Sequence, residues 1–239
     1  MTYARAFFAF QLTFAQRLAE KFQLPLADVV EQYMTFTKSF GRDGWNQYIA
    51  GLEQSADPTD WTYQWYWDRR APAPTPQDST FAGHALFGCF YYVLRDEGTV
   101  IRPHFLKNDW PGLGPLSRER LAVRQAELSA MFTHIRQHEP QAQFVRGNSW
   151  LYNLDAYRRL FPPAYTVDLP ISEYDEFQFL ALWGQCFDRD WLPKADITQE
   201  FLRLVDLLTD LSALRLCFPL QIRQPQCVIA AFYRFYQIA

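Results

Sequence analysis

The sequence predicts an α/β or α+β protein: a mixed sheet flanked by helices, preceded by a helical N-terminal region. Three observations carry that expectation. Apolar residues recur at helical spacing over residues 3–40, an apolar and aromatic hairpin pattern occupies 86–106, and a long amphipathic stretch follows it. The chain has 239 residues, 49% of them apolar and 21% charged, which excludes disorder and allows one or two domains. Its net charge of −3 supplies no general positive field, so neither nucleic acid nor an anionic membrane surface is an expected partner. Aromatic residues make up 18% and must fill a core, a cleft or a partner surface.

The first helix is expected over 3–22, where Phe7, Phe10, Phe14, Leu18 and Phe22 recur at three- and four-residue steps and form one apolar stripe. Pro25 separates it from a second helix over Leu26–Phe40, which Gly41 can stop in the left-handed conformation. A third helix covers Trp45–Leu52. Residues 61–67, WTYQWYW, alternate; as an extended segment they put Trp61, Tyr63, Trp65 and Trp67 on one face. Pro72, Pro74 and Pro76 then break any regular element. The expected division is therefore a helical region 1–68, a Pro-rich connector 69–80 and an α/β core domain 81–239.

In that core, Leu86–Leu94 and Thr99–Leu106 flank the turn Asp96-Glu97-Gly98 as a β-hairpin. A loop over 108–115 contains Gly112 and Gly114. Ser117 is placed to cap a long helix reaching His138, with Leu121, Leu128, Met131, Phe132 and Ile135 inward. A short strand at Gln143–Val145, a short helix at Leu154–Phe161 and a helix at Thr198–Leu216 follow. The tail from Cys227 to Ile238 fits helix or strand. Pro103, inside a strand, is tolerable only at a bulge or an edge.

Cys89, Cys186, Cys217 and Cys227 are far apart and lack the spacing of a metal site or redox dithiol. No metal is expected. The N-terminal stretch lacks a continuous apolar run and a cleavage site, and no stretch of eighteen apolar residues occurs, so a cytoplasmic location is the expectation. His134 and His138 stand one turn apart but have no third ligand beside them. Gly147-Asn148-Ser149-Trp150-Leu151 begins like a nucleophile elbow and lacks its second glycine. Asp188-Arg189-Asp190 and the carboxylates Glu173, Asp175 and Glu176 read as polar turns.

The order of hairpin, Gly-containing loop, long helix, strand and short helix over residues 86–165 resembles the central part of the GNAT acyltransferase superfamily. The resemblance implies a GNAT-like core that transfers an acyl group from a coenzyme A thioester to an amine. It implies that the backbone around Gly112 and Gly114, with Ser117 and Arg118 at the helix start, meets the cofactor's pyrophosphate, because amide donors and the positive helix end converge on an anion. Asn153 and Ala156 resemble the Asn and Ala that open the family's next short helix, which adds Asn153 to the cofactor contact. The loop departs from the family pattern in carrying Asp109, Pro111 and Pro115, and Leu160 stands where many members carry a Tyr. Strand alternation places Arg102 and His104 on one face, and His104 is the candidate base, since an imidazole titrates near 6.5. The competing expectation is a non-catalytic interaction protein, whose aromatic surface at Trp61, Trp65 and Trp67 meets a protein partner or a second copy of the chain.

Overall fold

The computed structural model describes residues 3–37, 41–69, 80–81, 83–106, 113–173, 177–178, 180–188 and 190–239. It is a mixed α/β protein built as two compact units, each from two separate segments: residues 2–72 with 174–221, and 73–173 with 222–239. The expected C-terminal domain over 81–239 is thus divided, because 174–221 joins the N-terminal helices. Residues 70–79 of the expected connector lie outside the described residues.

The helical unit is organised around α1 (Arg5–Phe22). Phe7, Phe10, Phe14 and Leu18 are buried as the stripe predicts, and Phe8, Leu12 and Ala15 are buried as well, so this helix is central rather than superficial. Gln11 is fully buried, and its Oε1 accepts the N–H of Thr35 at 3.1 Å. That bond explains why α2 (Leu26–Tyr33) stops short of the expected Phe40: Met34 turns extended, and the Thr35 N–H is given to Gln11 instead of a helical carbonyl. Gly41 has φ +63° and opens α3 (Gly41–Gln54).

The WTYQWYW segment is helical, not extended. It lies in α4 (Pro58–Arg69), which Asp57 starts by accepting the Asp60 N–H on its carboxylate at 2.9 Å. The helix dissolves the expected single face. Trp61 and Trp65 share one side with ring centroids 5.1 Å apart, while Tyr63 and Trp67 pair on another at 6.4 Å. Trp65 is buried, and the Arg69 guanidinium lies over its ring. Gly51 allows the Trp61 ring to rest on α3; a Cβ there would overlap it.

Residues 174–221 supply α8 (Leu180–Trp183) and α9 (Ala195–Leu207), and then a 3₁₀ segment over Leu211–Cys217. The expected helix to Leu216 breaks at Leu208, which is extended, and Asp210 caps the new turn through the Ser212 N–H at 2.9 Å. Phe201 and Phe218 pack against Trp183, and Phe10 and Phe14 of α1 complete the ring cluster. This aromatic match is why the segment belongs with the N-terminal helices.

The second unit holds a two-stranded ribbon, β1 (Thr80–Phe81) with β2 (His84–Ala85), and a four-stranded sheet. The sheet runs β3 (Phe90–Arg95), β4 (Val100–Phe105), β5 (Phe144–Arg146), β6 (Gln226–Val228) in spatial order. The hairpin β3–β4 forms as predicted, with Asp96, Glu97 and Gly98 all at positive φ in the turn. A crossover through α5 (Leu121–His138) makes β5 parallel to β4, and β6 returns antiparallel. The tail is therefore both strand and helix, β6 followed by α10 (Ala230–Phe235).

One face of the sheet, with Phe90, Ile101 and Val145, packs on Leu128, Met131, Phe132 and Ile135 of α5. Tyr152, Tyr157 and Tyr165, reached through a 3₁₀ turn (Trp150–Asn153), α6 (Asp155–Arg158) and α7 (Pro163–Thr166), close that core with Phe232. Glu127 ties α5 to the hairpin by accepting the Cys89 N–H at 3.1 Å and Arg124 at 2.6 Å. Gly88, at φ +62°, passes so close to Glu127 that no side chain fits there.

Candidate functional site

Pro103 organises the site. The Leu106 N–H bonds to the Cys89 carbonyl at 2.7 Å, so residues 100, 102, 104 and 106 turn their main-chain groups toward β3. Residues 101, 103 and 105 turn theirs toward β5. Pro103 has no N–H to give on that side. The β4–β5 ladder accordingly covers Val100↔Phe144 and Ile101↔Val145 and ends there. A proline inside a central strand is accommodated because it sits where pairing with the next strand stops.

Beyond that point β5 stays tied to its other neighbour. The Gly147 N–H bonds to the Pro225 carbonyl at 2.9 Å, and Ser149 and Arg223 exchange both bonds at 3.1 Å. The chain is therefore extended through Ser149, and the GNSWL sequence forms no nucleophile elbow. Its serine instead caps the 150–153 turn through the Leu151 N–H. Asn148 lies in this extended stretch two residues past β5; by strand alternation it falls on the face that carries Arg146 and, across the ladder, His104.

That face is polar. The His104 ring stacks on Tyr91 at 4.7 Å, and Tyr91 stacks on His84 at 5.8 Å. His104 Nε2 is buried and has no hydrogen-bond partner among the described residues; the same is true of both amide atoms of Asn148. An unmet buried polar atom costs about 1–3 kcal/mol, which makes His104 and Asn148 candidates for contact with a bound group. Burial, then the guanidinium groups of Arg102 and Arg95 and the His84 ring, push the His104 pKa down to about 4. Its imidazole is neutral at pH 7. Arg146, on the same face, donates to Gln226 at 2.6 Å and to Asp96 at 3.0 Å.

The start of α5 forms a second polar region. Gly112 and the rest of 107–112 lie outside the described residues. Gly114 is exposed with nothing near its Cα, and its carbonyl accepts the Ser117 N–H at 3.0 Å. Ser117 has the extended backbone of a cap, but its side chain caps nothing, and a 3₁₀ turn over Arg118–Arg120 leads into α5. Arg159 reaches this loop by donating to the Leu116 carbonyl at 2.7 Å, so Arg118, Arg120 and Arg159 gather at the helix start. Asn153 is engaged within the fold: its amide donates to the Trp150 carbonyl at 2.7 Å and accepts from Arg223 at 3.0 Å.

The sequence-predicted residues thus fall in two places, His104 where β4 leaves β5, and Gly114, Ser117 and Arg118 at the helix start. Asn148, Tyr91, His84 and Arg159 were not singled out for this site from the sequence.

The remaining candidates resolve into structure. His134 and His138 stack at 4.0 Å, and no group of three metal-ligating side chains comes together among the described residues. Cys89, Cys186, Cys217 and Cys227 are free, and burial pushes the Cys186 thiol up to about 12. Asp188 turns its carboxylate onto the Asp190 and Leu192 N–H groups at 2.8 and 3.0 Å. Asp175 and Glu176 lie outside the described residues. Among the described residues no helix is long and apolar enough to cross a membrane. Compared with protein-family models, with curated proteins and with solved structures, the chain matches none.

Proposed function

We propose that the second unit is a GNAT-like acyltransferase that moves an acyl group from a coenzyme A thioester to an amine. The observation that carries this reading is the β4–loop–α5–β5 unit, whose parallel strands cease to pair at Pro103 beside the unpartnered His104 Nε2 and Asn148 amide. The arginines at the start of α5 supply positive charge for a pyrophosphate, in competition with the Glu119 carboxylate, which takes its own N–H and faces Arg118 and Arg159.

A coenzyme A thioester supplies the activated acyl carbon. Arg118, Arg120 and Arg159 hold the anionic end at the helix start. As the neutral amine's nitrogen bonds to that carbon, the carbon–sulfur bond breaks and its electron pair leaves with coenzyme A as the thiolate; His104 Nε2 takes the proton the nitrogen gives up and returns it to that sulfur. A nitrogen so bonded is strongly acidic, so an imidazole of low basicity suffices, and a neutral one is ready to accept at pH 7. Asn148 orients the acceptor beside it. The competing reading, a partner surface made by Trp61, Trp65 and Trp67, draws less support, since Trp65 is only 6% exposed.

Thermal unfolding with acetyl-coenzyme A tests the proposal. Ligand at a hundred times its dissociation constant adds about 2.7 kcal/mol to stability. Arg118→Gln and Arg159→Gln should weaken that gain, and an unchanged melting temperature at millimolar acetyl-coenzyme A would remove the acyltransferase reading.

A further inference from the structure

His134 and His138 stand one turn apart at the end of α5, so their side chains share a face of that helix. His138 is exposed; His134 is partly buried, its ring flanked by Phe87 at 5.3 Å and Tyr92 at 6.1 Å. The two imidazoles stack with centroids 4.0 Å apart and planes 18° from parallel. His138 Nδ1 lies 2.9 Å from the His134 carbonyl oxygen. A carbonyl only accepts, so Nδ1 of the neutral ring carries the proton and Nε2 keeps its lone pair. A main-chain carbonyl on the far nitrogen is the arrangement that fixes and orients a metal-bound imidazole. No hydrogen bond among the described residues takes Nε2 of either ring. Two nitrogens on one tetrahedral Zn2+, each about 2.0–2.1 Å from it, stand about 3.3 Å apart. The stack already holds the rings near that separation, and rotation about their Cβ–Cγ bonds turns both lone pairs toward one ion. The Glu139 carboxylate, which accepts the Tyr92 hydroxyl at 2.8 Å, adds a negative charge that acts on His134. Arg136 is engaged elsewhere, by the Ile238 carbonyl and the Tyr233 ring. Among the described residues no third protein ligand joins the pair.

We propose that His134 and His138 form a two-histidine clamp for a late first-row divalent cation (Zn2+, Cu2+ or Ni2+), with water in the remaining positions. The clamp stands apart from the acyl-transfer reading. Imidazole suits these ions, whereas Mg2+ and Ca2+ take oxygen ligands. The two rings meet only while residues 134 and 138 are one helical turn apart, so the bound ion fastens the last turn of α5. The test adds Zn2+ alone to the whole, chelator-treated chain at pH 7 and follows imidazole NMR. Four histidines give few signals, and His134→Gln and His138→Gln assign the two that matter. Zn2+ should shift both together, saturating at one ion per chain, and leave His84 and His104 unmoved; Mg2+ should move none. Each single variant should weaken Zn2+ binding at least about tenfold, the loss of one of two ligands. His138 is exposed, so His138→Gln keeps its fold. Adding Arg136→His to His138→Gln restores the number of histidines, but two residues from His134 the rings cannot meet, and affinity should not return. The proposal is overturned by no saturable response, by a response of one ring only, or by an equal response to Mg2+. Native Zn2+ affinity in either single variant, or in the chain with the displaced histidine, overturns it as well.

Discussion

At the scale of single residues, His104 makes the fold sensitive to acid. Its imidazole has a pKa of about 4 in the folded protein and about 6.5 when unfolded. Above pH 6.5 both states are neutral and the group contributes nothing to the pH dependence. Between 6.5 and 4 the unfolded chain binds a proton that the fold refuses, so stability falls as pH falls. From pH 7 to pH 5 the loss from this one side chain is about 2 kcal/mol. Urea unfolding at the two pH values should show that loss in the native protein and a loss smaller by about that amount in His104→Gln. Equal losses would mean that His104 is not held neutral. The sequence marked His104 by alternation alone; what it could not supply was the stack on Tyr91 and the neighbouring guanidinium groups, since these come from pairing across the hairpin.

At the scale of elements, local signals succeeded where packing agreed with them and failed where a distant partner intervened. The hairpin and α5 follow directly from turn residues and apolar periodicity. The second helix ends early because Gln11, twenty-four residues away in sequence, takes the Thr35 N–H. The WTYQWYW segment carries both a period of two and the Asp57-Pro58 helix start; the cap and the packing of Trp61 over Gly51 decide for helix. Pro103 was legible as an anomaly, and only the register shows on which side its missing donor lies. Replacing it tests that geometry. Pro103→Ala gains an N–H that faces the unpaired side, so stability should fall by no more than about 1 kcal/mol, from added freedom in the unfolded chain. The new amide should exchange with solvent on the order of a hundredfold faster than that of His104, whose N–H faces Tyr91. Comparable protection at both positions would show that β4 and β5 remain joined past Ile101.

At the scale of the whole molecule, the fold class was visible in the sequence and the partition of the chain was not. Residues 174–221 carry no compositional break that separates them from the sheet unit. Their membership is decided by which aromatic surface they match, and Phe201 and Phe218 match α1. Residues 222–239 then return to the sheet, where Cys227 pairs with Val145 and Phe232 is buried against Phe132. A chain ending at Gln221 should therefore lose the second unit's tertiary structure: removing Phe232 alone takes about 3–5 kcal/mol from its core, before the lost ladder is counted. Near-ultraviolet circular dichroism that stayed native in such a truncation would contradict this assembly.

The interleaving of the two units sets the timetable of biosynthesis. Neither half can close when its first segment leaves the ribosome, because α1 waits for residues beyond 174 and β5 waits for residues beyond 222. The nascent chain thus carries Phe10 and Phe14 uncovered until residues beyond 174 emerge, and one edge of β5 unpaired until residues beyond 222 emerge. Apolar surface left uncovered in this way during synthesis is where aggregation competes with folding.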